Sequence, residues 1–128
     1  MRSVYDAIKP VFSVRPVAVT ASTNHSSVDT KGYNSAMVVL EVGAVSGTTP
    51  INTVKIQEST DNSTFTDVSG ATFTAVTASN NSQVLRVEGL GTSRARYLRA
   101  VSTVSGTTPS FTMSVEFLLG RAYSEPVN

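Results

Sequence analysis

From Ala36 to Ala44 the chain alternates with period two: Ala36, Val38, Leu40, Val42 and Ala44 share one face, while Met37, Val39 and Glu41 share the other. The second face is also partly apolar, which predicts a central strand. Val54 and Ile56 alternate with Lys55 and Gln57, and Leu85 and Val87 with Arg86 and Glu88, as in half-solvated strands. The longest unbroken apolar face belongs to Phe111, Met113, Val115, Phe117 and Leu119, the expected heart of the core. Weaker patterns predict a strand over Phe12–Ala21, with Val17 and Val19 on one side, and a short edge strand over Val28–Thr30. Thr64–Val68 should return across a turn at Ser59–Ser63, where Asp61 and Asn62 can bond their own backbone. Ser22–Ser27 reads as a polar loop and Ser69–Asn81 as a long one with at most a short strand.

One phrase occurs twice, Val-Ser-Gly-Thr-Thr-Pro at Val45–Pro50 and again at Val104–Pro109. Each copy sits between two strand-like runs. Gly supplies a backbone angle closed to other residues and Pro cannot donate to a ladder, so each copy is expected to be a hairpin turn. Seven or eight strands with frequent turn signals predict an all-β protein, an antiparallel β-sandwich of jelly-roll-like form. Its expected organisation is an extended N-terminal arm over residues 1–12, the sandwich over 13–120 and a C-terminal tail over 121–128.

Composition narrows the function classes. Lys and Arg number 10 against 9 for Asp and Glu, so no strong overall field exists to draw nucleic acid or an anionic membrane. Neither a bilayer-spanning run nor a signal-peptide core is present. Cysteine is absent, which removes disulfides, thiolate nucleophiles and thiolate metal sites. The single histidine, His25, lies in the expected polar loop with no nucleophile motif near it, and no phosphate-binding or metalloprotease motif occurs. Asp61, Asn62 and Asp67 have the wrong spacing for an EF-hand and suit a turn with side-chain-to-backbone bonds. The chain is expected to be no enzyme and to need no cofactor or metal.

Two features suggest adhesion instead. Arg94, Arg96 and Arg99 lie close together, joined by Arg86 if its strand pairs with theirs, and such a patch suits either an acidic partner or a charged strand edge. The arm and tail carry more apolar surface than disordered segments usually do, in Val4, Tyr5, Ile8, Val11 and Phe12 and in Tyr123 and Val127. The expected partner-binding residues are Arg2, Tyr5, Ile8 and Phe12 in the arm, Arg94, Arg96 and Arg99 in the patch, and Arg121 and Tyr123 in the tail.

The run Val54-Lys55-Ile56-Gln57-Glu58-Ser59, then Asp61-Asn62-Ser63-Thr64-Phe65-Thr66-Asp67-Val68, and later Arg96-Tyr97-Leu98-Arg99-Ala100-Val101 leading to Val104-Ser105-Gly106, resembles small jelly-roll-type structural proteins of tailed bacteriophages. The resemblance covers about residues 35 to 120. It implies a virion protein, first of all a capsid decoration or cement protein on the capsid exterior, made in the host cytoplasm. Its implied partners are the major capsid protein or other virion proteins and further copies of itself, with a trimer on a capsid symmetry axis as one form. A neck, tail or head-fibre component is the alternative. A carbohydrate-binding module is a third reading, against which the absence of Trp counts.

Overall fold

The computed structural model describes residues 7–122, and the side chains of residues 7–120. Six strands run through them: β1 (Ile8–Val19), β2 (Thr23–Asp29), β3 (Tyr33–Ser59), β4 (Thr66–Thr72), β5 (Asn81–Glu88) and β6 (Tyr97–Ala122). All pairings are antiparallel. β3 and β6 are the frame, with 27 and 26 residues, and they pair with each other from Tyr33↔Ala122 to Ser59↔Tyr97.

The repeated phrase is therefore not a pair of turns. Each copy lies in the middle of a long strand, and the two copies lie against each other, with Ser46 opposite Ser110, Thr48 opposite Thr107 and Ile51 opposite Ser105. Gly47 and Gly106 take φ of 110° and 113°, and Thr49 and Thr108 take 46° and 45°. The matching angles make the two copies related by a local two-fold axis through the Thr48–Thr107 pair. A side chain cannot be added at either glycine without collision: its Cβ would lie 2.7 Å from the Thr108 carbonyl oxygen at position 47, and 2.6 Å from that of Thr49 at position 106. Left-handed residues and prolines bend a strand as readily as they reverse it. Here they bend two strands together.

The bend turns one continuous sheet into two layers. In the first, the order is β1, the second half of β6, the first half of β3, then β5. In the second it is β2, the first half of β6, the second half of β3, then β4. Counted by layer there are eight strand segments, in the order of a jelly roll. The layers close on a single core. Val38, Leu40, Phe111, Val115 and Phe117 enter it from the first layer, Val54, Ile56, Leu98 and Ala100 from the second, all at 0 % exposure. The face predicted to be the heart of the core is buried along its whole length. Ser13 Oγ ties the layers at one side, donating to the Ser26 carbonyl at 2.6 Å and accepting from the Ala100 N–H at 3.1 Å.

One further expectation is corrected. Ser22–Ser27 is mostly strand β2 rather than loop, because pairing with β6 satisfies its backbone whatever its side chains prefer. Val17 and Val19 lie in unbroken register opposite Met113 and Phe111, on one side as expected, although only Val19 is buried and Val17 is exposed. The long loop holds no more than the short strand allowed for it: β4 continues as far as Thr72, and beyond it Val76 bridges to Asn52 in the core.

Candidate docking surface

The arginines do not make one free basic patch. Arg96, just before β6, chelates the Asp29 carboxylate through Nε and Nη2 at 2.8 and 2.7 Å. These hydrogen bonds hold the Asp29 carboxyl at about 2, well below its ordinary value, and push the Arg96 guanidinium up in turn. Arg94 lies 3.5 Å from Glu58, whose carboxylate also caps the Ala95 N–H at 2.8 Å. Arg99 points out of the second layer, donates to Gln57 Oε1 at 3.0 and 2.8 Å, and stacks 3.9 Å from the centre of the Phe65 ring. Arg86 does not join them by strand pairing, since β5 pairs with β3 in the other layer, and it meets Arg94 only across a small cleft beside β4. At the pole opposite the bend, Lys31, Arg94 and Arg96 line a hollow of about 370 Å³ with Thr30 and Thr60. The carboxylates of Asp29 and Glu58 offset two of its three cations.

Of the other expected contact residues, Arg2, Tyr5 and Tyr123 lie outside the described residues, as does the side chain of Arg121. Ile8 and Phe12, read from sequence as part of an arm, belong to β1 and pair with Gly120 and Glu116 of β6. Their side chains fall on the outer face of the first layer.

That face differs in kind from its counterpart. The outer face of the second layer is polar and internally bonded: Asp67 accepts from Lys55 and Gln57 at 3.2 and 2.9 Å, Gln57 accepts from Arg99, and Thr53 and Thr103 lie opposite each other. On the first layer the register sets Pro10, Leu118, Met37 and Arg86 in one row, and Phe12, Glu116, Val39 and Val84 in the next. Six of these eight side chains are apolar. Met37 is 42 % exposed and Val84 61 %. Glu116, Glu41 and Arg86 supply charge among and beside them. The sequence pattern carried part of this signal, the second apolar face of β3 in Met37 and Val39, but read it only as the mark of a central strand. β3 is central, and its second face is surface.

Among the described residues little else offers chemistry. His25 is half-buried on β2, not solvated in a loop; its Nε2 lies 2.9 Å from Ser102 Oγ, and burial lowers its pKa from the ordinary value. Asp61 closes its turn as expected, accepting from the N–H groups of Ser63 and Thr64 at 2.9 and 3.0 Å. Among the described residues no three His, Asp or Glu side chains gather to hold a metal ion. No protein-family model matches the chain, and no curated protein matches it.

Proposed function

We propose that this protein is a structural component of a phage virion, a decoration protein that docks on the assembled head through the outer face of its first layer. The observation that carries the reading is the contrast between the two outer faces: one polar and self-satisfied, the other an apolar stripe crossing four strands. Apolar surface of that extent on a sandwich exterior suits burial against a partner. The resemblance over residues 35 to 120 supplies the partner class, the major capsid protein. Binding the assembled shell and not its free subunits stabilises the shell by linkage, without any catalytic group.

The test is cosedimentation with purified heads. Met37→Glu and Leu118→Glu each put a charge into the stripe at a surface position and are expected to weaken head binding by about tenfold or more, while leaving the fold intact. Arg99→Ala, on the opposite outer face, should bind as the unaltered protein does. Equal binding by all three variants would overturn the assignment of the face. Quantitative mass spectrometry of virions tests the role itself: a copy number in simple ratio to the capsid protein is expected, and a dozen or fewer copies would place the protein in the neck or tail.

A further inference from the structure

Each layer has two edge strands, and three of the four are guarded. β1 carries Pro10 and Pro16 and two register shifts, β2 has a shift between Asn24 and Ser27, and β4 has a shift against β3 and a left-handed Gly70. Prolines, bulges and twists of this sort keep an edge from recruiting another strand. β5 has none of them. It pairs with β3 at eight consecutive positions, Asn81↔Val42 to Glu88↔Ser35, without a shift, and it contains no Pro, Gly or Lys. Among the described strands it pairs with β3 alone. Alternate residues of an antiparallel strand aim their N–H and C=O away from the paired neighbour, so over residues 81–87 β5 presents a straight row of donors and acceptors.

The strand also complements itself. Ser82, Val84, Arg86 and Glu88 point out of the sandwich, and Val84 is its most exposed large hydrophobic residue among those described. With a second β5 laid antiparallel about an axis at Val84, the two Val84 side chains meet directly. Ser82 of each copy then faces Arg86 of the other. No like charges are opposed. β-branched pairs directly across an antiparallel ladder stabilise it, and each Val84 leaves water in forming one. An axis at Arg86 would instead set guanidinium against guanidinium.

We infer that β5 pairs with β5 of a second copy about a two-fold axis at Val84, fusing two first layers into one continuous eight-stranded sheet. Two-fold edge pairing closes at two copies, in contrast to the trimer suggested by resemblance. The inference rests on the edge and not on the capsid reading, so either can fail alone.

Sedimentation of the full chain over a range of concentrations tests it. The unaltered protein is expected to dimerise, and Val84→Lys, which sets two ammonium groups face to face, to raise the dimer dissociation constant by about tenfold or more with an unchanged monomer fold by circular dichroism. Geometry is tested by cysteine variants, for which the chain offers a clean background because it has no Cys. Under mild oxidation Val84→Cys should form a disulfide-linked dimer, and Arg86→Cys should not. A protein that stays monomeric at every concentration, a Val84→Lys variant that associates as the unaltered protein does, or cross-linking at position 86 in preference to 84 would each overturn the proposal.

Discussion

Asn52 sits at 1 % exposure beside the bend, with its backbone fully used: its N–H donates to the Val76 carbonyl and its carbonyl accepts from the Val76 N–H, at 2.9 and 2.8 Å. Its side chain is less well served. Nδ2 reaches only the Met113 sulfur at 3.2 Å, and the buried Oδ1 has no donor among the described residues. A buried acceptor left in this state costs about 1 to 3 kcal/mol. Asn52→Leu keeps the branched outline and removes the polar atoms but adds volume at a packed site, so chemical denaturation should show a stability within about 1 kcal/mol of the unaltered protein. His25 and Asp29 both contribute to the acid response, alongside Asp61 and Asp67, whose carboxyls are also held low by hydrogen bonds. Burial keeps the folded-state pKa of His25 below 6.5, so the unfolded chain takes up this proton first and stability falls as pH drops below about 6.5. His25→Gln should flatten that slope. Asp29 acts lower. Its folded pKa of about 2 is depressed by Arg96, so its contribution is full above the ordinary value of 3.8 and is lost as pH falls toward 2. Asp29 is half-exposed, which limits the pair to about 1 kcal/mol or less, and Asp29→Asn should remove that part of the acid limb in melts across this range.

At the scale of elements, the bend makes the sharpest demand. Gly47→Ala and Gly106→Ala each force a Cβ into the facing copy of the phrase at a positive φ, with an expected cost of about 3 kcal/mol for each in urea titrations. The local two-fold adds that the two costs should agree. The strands themselves were largely legible: the inward set of β3 over Ala36–Val42, the buried face of β6 and the hairpin closed by Asp61 all follow from period and turn chemistry. The bend was not, because Gly, Pro and left-handed Thr satisfy the local requirements of a hairpin turn and of a kinked strand equally well. Only the choice of pairing partner separates the two, and pairing is not local. β2 was hidden for the opposite reason: its residues, Thr23-Asn24-His25-Ser26-Ser27, have weak strand propensity, and a long-range ladder with β6 overrides it.

For the whole molecule, the deciding property is which face of which layer meets water. Periodicity showed that Met37 and Val39 form a second apolar face, yet a face covered by another layer and one left at the surface look the same in sequence. The rows that add Leu118, Val84, Pro10 and Phe12 to it exist only once β1, β3, β5 and β6 lie side by side. The arginines show the same limit. Their proximity along the chain was plain, and the ion pairs of Arg96 with Asp29 and Arg94 with Glu58, like the hydrogen bonds of Arg99 to Gln57, come from other strands and were not. The docking variants Met37→Glu and Leu118→Glu, and the edge variant Val84→Lys, therefore probe surfaces created by topology rather than by any segment.

The pairing of Ile8 with Gly120 has a mechanical meaning. The described chain enters the sheet and leaves it on neighbouring antiparallel strands at the same pole, so tension applied across these two points loads the β1–β6 ladder one rung at a time. Such a zipper opens at low force, with Ile8 peeling first and the bent frame of β3 and β6 giving way last. Pressure normal to the first layer meets the opposite response, since four strands and the core beneath them share the load at once. The sandwich thus resists compression on that face and opens most readily to a pull across Ile8 and Gly120.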